Sequence, residues 1–440
     1  MLCSRQARDL WRRCRYPVPD AFKPALNLRC FGKYSAEERR RLELDFIAHN
    51  YDPVPVVFSK GSGAVVTDES GKSYLDFLSA YSAVNQGHCH PKIVQALTDQ
   101  AQKLTLSSRA FHHDLLLEFA QYMTKMFGYE KVLPMNTGVE GGETAVKLAR
   151  KWGYNNKGIK DGDAIVVFAQ NNFWGRTLSA VSSSSDPTCY TGFGPYMPGF
   201  DMIPYNDLEA LESFFKSNPN TAGYMFEPIQ GEAGVVVPDE GYLRGVRRLC
   251  TEYNVLMIAD EVQTGIARTG KMLACDHEGV KPDILILGKS LSGGVYPVSA
   301  VLADDFIMNN ITPGTHGSTY GGNPLACAVT MAALNVVVNE NLSERSDILG
   351  ETFRNSLLPL VNEVDAVEVV RGKGLFNAMV IKETRGNNAL DLCLELAKEG
   401  VLAKPTHGDI IRFSPPLVIS EDQLNHGIEV IKSCIYKLFK

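Results

Sequence analysis

The chain has 440 residues, 45% of them apolar and 21% charged, with a formal net charge of -6. It is too long for one compact core and too apolar to stay disordered, so two or three folded lobes are expected. A pI near 5.9 leaves no basic footprint for nucleic acid or acidic membrane, and no apolar run approaches the roughly 20 residues of a spanning helix, which leaves small-molecule chemistry.

Residues 1–34 stand apart as a basic segment. Arg5, Arg8, Arg12, Arg13, Arg15, Lys23, Arg29 and Lys33 face only Asp9 and Asp20 there. The segment reads either as a mitochondrial targeting sequence or, because Pro17, Pro19 and Pro24 interrupt a long helix, as a solvated tail of a cytoplasmic protein. Ser35 then caps a charged helix over Ala36 to His49. A strand-and-turn stretch follows, turning at Lys60 to Gly63 and at Asp68 to Lys72, and a helix opens at Pro91. His88-Cys89-His90 lacks a second ligand cluster, so it reads as a polar turn and no metal is expected. The ten cysteines form no CxxC pair, which fits free thiols in a reducing compartment.

From about Phe111 to Ala333 strands alternate with helices. The runs AIVVFA (Ala164 to Ala169), GYMFEP (Gly223 to Pro228), VLMIADE and DILILGK are continuously apolar, as strands of a mainly parallel sheet covered on both faces are. The expected fold is therefore α/β: a large domain over residues 91–335, plus a smaller α+β domain built from an N-terminal segment (35–90) and a C-terminal region (336–440).

Two residues locate the chemistry. VLMIA ends immediately before Asp260 and ILILG immediately before Lys289, and an open parallel sheet binds ligands beyond the carboxyl ends of its strands. A lysine can form a Schiff base with an aldehyde, and an aspartate can stabilise a protonated pyridine nitrogen, so the pair specifies pyridoxal 5'-phosphate. Gly288-Lys289-Ser290 also looks like the end of a Walker phosphate loop, but that motif needs glycine where Asp283 stands. The NTGVEGGETA run offers a capping box at Thr137 and Glu140 and exposed amides on Gly138 and Val139, as an ordinary capped helix or a phosphate site. Ser318 and Thr319, in GSTYGGNP, supply further hydroxyls. Phe173 and Trp174 either stack on a ring or pack in the core. Arg176 and Arg412 are two candidate carboxylate clamps.

The strings HNYDPVPV, YSAVNQGHCHPKI, LPMNTGVEGGETA, NNFWGRTLSA, EPIQGEAGVVVP, ADEVQTGIARTG, LGKSLSGG, HGSTYGGNP and LAKPTHGDIIRF, in that order, resemble the ornithine aminotransferase family within the fold-type-I, class-III pyridoxal-phosphate aminotransferases. The likeness covers nearly all of the chain after the basic start. It implies that Lys289 holds the cofactor and moves the proton, that Asp260 pairs with the pyridine nitrogen, and that Gln263 bonds the phenolic oxygen. It implies phosphate binding by the amides of Gly138 and Val139 beside Thr137, with Ser318 and Thr319 contributed across a homodimer, and Phe173 covering the ring. It also implies that Arg176 binds the α-carboxylate of L-ornithine with Tyr51 near its α-amino group, that Tyr81 shapes the pocket, and that Glu232 neutralises Arg412 until 2-oxoglutarate arrives. The implied activity is δ-amino transfer from ornithine to 2-oxoglutarate. Related ω-aminotransferases acting on N-acetylornithine or 4-aminobutyrate share the framework, and a catalytically silent protein of the same fold is the alternative from another class.

Overall fold

The computed structural model describes residues 34–440; the basic segment therefore lies outside the described residues, apart from Tyr34. The chain falls into two compact units that part between Val57 and Phe58. In the first, Ser35 caps the helix Ala36–Phe46 through a reciprocal box with Glu38, its Oγ accepting from the Glu38 amide at 3.2 Å. That helix stops three residues before His49, at the extended Ile47.

The second unit opens with a three-stranded meander, β1 (Phe58–Ser62), β2 (Val65–Asp68) and β3 (Ser73–Asp76). Its turns fall at Gly63 and Gly71, with φ of 59° and 91°. At the second turn the Asp68 Oδ1 accepts from the amides of Ser70 and Lys72 at 2.8 and 3.0 Å, which stands in for backbone bonds that a tight turn cannot make.

Seven strands form the central sheet: β4 (Lys131–Met135), β5 (Ile165–Ala169), β6 (Phe200–Ile203), β7 (Thr221–Phe226), β8 (Leu256–Asp260), β9 (Ile284–Leu287) and β10 (Ser299–Ala303). Their order is β4-β10-β9-β8-β7-β5-β6. β10 runs antiparallel to both its neighbours, while β5 to β9 are parallel. β7 to β10 are buried at every position, which is why their sequences are continuously apolar. Alternate residues feed two cores. Met225, Leu256 and Ile258 pack with Leu148 and Trp152 of the helix Gly138–Trp152, and Tyr224, Phe226 and Met257 pack with Leu211 and Val246 of the helices Leu208–Ser217 and Tyr242–Glu252.

The C-terminal region supplies β11 (Val367–Lys373), β12 (Phe376–Ile381), β13 (Val401–Leu402), β14 (Lys404–Thr406) and β15 (Ile410–Phe413). Four of these make an antiparallel sheet, β11-β12-β15-β14, whereas β13 pairs in parallel with β3 and extends the meander. Phe77, Phe353 and Phe413 cluster beneath, with ring centroids 5.5–6.3 Å apart. Arg268, fully buried, ties the three regions: it donates to Asn85 Oδ1 and to the carbonyls of Leu375 and Pro415. No single helix among the described residues is long and apolar enough to cross a membrane, and the apolar helix Pro324–Asn339 is largely buried in the core.

Candidate active site

The carboxyl ends of the parallel strands converge. Asp260 is the last residue of β8, Lys289 lies two residues beyond β9, and Glu227 follows β7 directly. Together with Val139, Phe173 and Gln263 they line a cavity of about 250 Å³. Lys289 itself takes a left-handed φ of 45°, a conformation that non-glycine residues adopt only when their surroundings impose it. The imposing contacts come from two buried amides: Asn85 Nδ2 donates to Ser290 Oγ at 3.1 Å and Gln86 Nε2 to the Ser290 carbonyl at 3.0 Å.

The electrostatics of the cavity follow from burial. Asp260 is 5% exposed and its carboxyl is pushed up to about 6 by desolvation, against the Val262 amide at 3.0 Å and the charge of Lys289. Glu227 is pushed further, to about 8, by burial and then by Asp260. Burial holds the Lys289 ammonium below its ordinary value, and Glu232, Asp260 and Glu227 offset part of that. At neutral pH the arrangement keeps an anionic aspartate beside a lysine that gives up its proton more easily than a solvated one.

A helix start closes one end of the cavity. Thr137 caps Gly138–Trp152: its Oγ1 accepts from the Glu140 amide at 3.3 Å, and Glu140 Oε2 accepts from the Thr137 and Asn136 amides at 2.8 and 3.0 Å. The amides of Gly138 and Val139 belong to the first helical turn and have no partner within the helix, which makes them an anion cradle. The helix can sit this close because of glycines. A Cβ at Gly138 would lie 2.9 Å from Val262 Cγ1, and one at Gly175, where φ is 150°, would lie 2.2 Å from Val139 Cγ2.

Both adjacent aromatics line the cavity. Trp174 is 5% exposed and stacks on Phe168 with centroids 5.8 Å apart, so it also belongs to the core. Phe173 lines the cavity, its amide donating to Glu227 Oε1 at 2.9 Å. On its other side Phe173 lines a second cavity, of about 260 Å³, with Asp186, Cys189, Glu232 and His407. The Arg176 guanidinium lies 5.4 Å from the Phe173 ring centre and donates to Cys189 Sγ at 3.3 Å. Arg412, on β15, is buried with 4% side-chain exposure and donates to Glu232 Oε1 at 2.7 Å. Burial raises the Glu232 carboxyl, but Arg412 more than offsets this and leaves it below the usual range.

Tyr81 lies 5.0 Å beneath Arg412 at the end of an unusual turn. Ser79, Ala80, Tyr81 and Ser82 all have φ between 47° and 68°. Asp76 Oδ1 accepts from the Leu78 and Ser79 amides at 2.8 and 2.9 Å, and Ser79 Oγ donates to the Ser414 carbonyl at 2.6 Å, which holds four non-glycine residues left-handed. Gln263 Nε2 donates to the Tyr81 carbonyl at 3.3 Å. Ser318 and Thr319 do not line the cofactor-sized cavity; Ser318 Oγ accepts from Asn136 Nδ2 at 2.9 Å, and Thr319 is exposed. Tyr51 belongs to the first unit, where it is exposed.

His88 and His90 serve different carboxylates, Asp76 at 2.7 Å and Glu340 at 3.3 Å. Sequence reasoning passed over Glu227, Asn85 and Gln86. Glu227 carried the same signal as Asp260, an acid ending an apolar strand. The amide pair had no local signal, because its partners lie more than 180 residues away.

Pyridoxal phosphate fits this donor set: an anion cradle, a buried aspartate, a half-buried lysine and an aromatic wall. The chain matches the family described as aminotransferase class-III over residues 46–435. It is 58% identical over 426 residues to the rat protein named ornithine aminotransferase, mitochondrial, covering 97% of this chain and 96% of that one. Among solved structures, the ornithine aminotransferase of Toxoplasma gondii superposes with a TM-score of 0.90 at 46% identity, covering 96% of this chain and 99% of that chain. The acetylornithine aminotransferase of Elizabethkingia anophelis gives 0.84 at 54% identity, covering 92% and 100%.

Proposed function

The chain belongs to the class-III aminotransferase family, a family of pyridoxal-phosphate enzymes of fold type I, and on that footing we propose that it transfers the δ-amino group of L-ornithine to 2-oxoglutarate. The products are L-glutamate and L-glutamate 5-semialdehyde, which cyclises to pyrroline-5-carboxylate. When bound, pyridoxal phosphate supplies an aldehyde that accepts the amine and a ring that takes up the electrons released from the substrate carbon.

The chain's own residues do the rest. Asp260 stays ionised at neutral pH and would face the ring nitrogen, Gln263 the phenolic oxygen, and Phe173 the ring face. The amides of Gly138 and Val139, beside Thr137, would hold the phosphate. Lys289 would bind the aldehyde and then carry the proton, a task suited to an amine whose ammonium form is disfavoured by burial.

The observation that carries the substrate assignment is the unequal state of the two arginines. Arg176 is held by a neutral thiol and a ring and would take the α-carboxylate of ornithine in a pocket shaped by Tyr81, whereas Arg412 is masked by Glu232. A masked arginine disfavours α-carboxylate docking, and so α-transamination, until Glu232 moves aside for 2-oxoglutarate. We further propose a homodimer in which Ser318 and Thr319 reach the phosphate of the opposite subunit; their place outside the cavity of their own chain supports it. The mitochondrial matrix is the proposed location, supported by the name of the rat relative and the basic start.

Two experiments test the reading. Borohydride reduction followed by peptide mass mapping should fix the cofactor on Lys289, and its absence there would refute the enzyme reading. Single-turnover amino transfer should favour ornithine over N-acetylornithine and 4-aminobutyrate. The Elizabethkingia structure makes N-acetylornithine the serious competitor, and preference for it would replace the substrate assignment.

A further inference from the structure

His88 has no place in the reaction as described, and it lines neither cavity of the site. Its surroundings nevertheless hold it closely. The His88 main chain bridges Gly63 in both directions, at 3.0 and 2.8 Å, and its side chain packs so near Gly61 that a Cβ there would lie 2.9 Å from His88 Cβ. From that anchored position the ring reaches Asp76, the last residue of β3, with Nε2 2.7 Å from Oδ2. Asp76 is 4% exposed, and its Oδ1 already accepts from the Leu78 and Ser79 amides. A carboxylate so buried needs a donor on its second oxygen too, and the His88 Nε2–H supplies it.

The segment that Asp76 holds is the left-handed turn. Ser79, Ala80, Tyr81 and Ser82 share a backbone state that residues with a side chain avoid, and such strain persists only where the surroundings over-determine it. The turn is also fastened to the residue after β15, since Ser79 Oγ donates to the Ser414 carbonyl at 2.6 Å and Ser414 Oγ to the Leu78 carbonyl at 3.2 Å. It presents Tyr81 to two groups of the site. The Tyr81 ring centre lies 5.0 Å from the Arg412 guanidinium, and its carbonyl accepts from Gln263 Nε2 at 3.3 Å. A turn of the Asp76 carboxylate therefore displaces the two amides it anchors, and Tyr81 with them.

Resting on the proposed reaction, we propose that His88 is a positioning residue for the 2-oxoglutarate half-reaction: it fixes Asp76, and through Asp76 the turn that sets Tyr81 against Arg412.

The test uses the cofactor-loaded enzyme and two variants. His88→Phe keeps a ring against Gly61 and removes the donor, whereas His88→Gln keeps an N–H for Asp76. In single-turnover half-reactions His88→Phe should raise the half-saturating concentration of 2-oxoglutarate about tenfold and change the saturated rate less than about threefold, and His88→Gln should recover most of the loss. Calorimetric binding of glutarate, which is 2-oxoglutarate without its keto oxygen, should weaken by the same factor. In a Tyr81→Ala background the His88→Phe effect should shrink to within about twofold, because its route is already cut. An unmoved half-saturation, an equal loss in His88→Gln, or a tenfold rise that persists without the Tyr81 ring overturns the proposal. Where His88→Phe does not fold, His88→Ala carries the same expectations, and failure of both to fold assigns His88 to the fold alone and also overturns it. An unsubstituted enzyme that fails to transaminate refutes the proposed function, whereas an active one with any of these overturning results refutes only the role of His88.

Discussion

Glu232→Ala removes the anion 2.7 Å from Arg412 and strands a guanidinium with 4% side-chain exposure, whose Nε is buried without a partner. In the intact protein any α-carboxylate that docks on Arg412 must first displace Glu232, so its apparent affinity is reduced by the free energy of that contact. A hydrogen bond between charged groups contributes about 1.5–3 kcal/mol. The single Nη1–Oε1 bond and the 25% exposure of Glu232 place this pair at the lower end, about 1.5–2 kcal/mol, which is roughly a 10- to 30-fold effect. The assay is the pair of half-reactions with ornithine and with glutamate under single-turnover conditions. The ratio of their specificity constants should shift by that factor toward glutamate, and Glu232→Gln, which keeps an acceptor oxygen, should fall between. A ratio unchanged within about twofold, with Arg412 intact, would refute the masking argument.

Three further outcomes follow from the geometry. The Glu227 carboxyl is raised in the fold to about 8, so the folded protein holds its proton more tightly than the unfolded chain. The stabilisation is complete below the ordinary carboxylate range and lost as pH rises through about 8. The urea stability of the cofactor-free protein, measured relative to Glu227→Gln, should therefore decline from pH 5 to 9, by no more than about 4–5 kcal/mol; a constant or rising difference would contradict the assigned cause. Arg268→Ala leaves Asn85 and the carbonyls of Leu375 and Pro415 without their shared donor, and should lower unfolding stability by about 3–5 kcal/mol, whereas a loss under about 1 kcal/mol would show that water replaces the guanidinium. Gly175→Ala puts a methyl 2.2 Å from Val139 Cγ2 and should weaken cofactor binding at least about tenfold, consistent with overpacking of roughly 1–3 kcal/mol; undiminished affinity in a cofactor titration would show that Val139 does not need its present place.

Much of the site was legible because its residues sit at the ends of runs that declare themselves. β7, β8 and β9 are buried on both faces, so their sequences are unbroken apolar stretches, and a charged residue at the end of each is conspicuous. Asp260 and Lys289 were readable for that reason, and the capping box marked Thr137. β4 and β10 were less distinct. Pro134 interrupts the first pattern, and Ser299 and two alanines dilute the second. The left-handed turn that carries Tyr81 had no local signature at all, since Ser79, Ala80, Tyr81 and Ser82 are ordinary residues held there by Asp76 and Ser414.

What the sequence by itself determined was the sheet, the cofactor and the chemical type of each candidate residue, because periodicity, caps and ionisable groups are properties of short stretches. Only the tertiary structure decided which of two arginines is masked, which carboxylate masks it, and which amides hold the turn that carries Tyr81. Those outcomes depend on contacts such as Arg412 with Glu232, 180 positions apart. Burial and charge pairing act through space, so no stretch of chain read alone contains them.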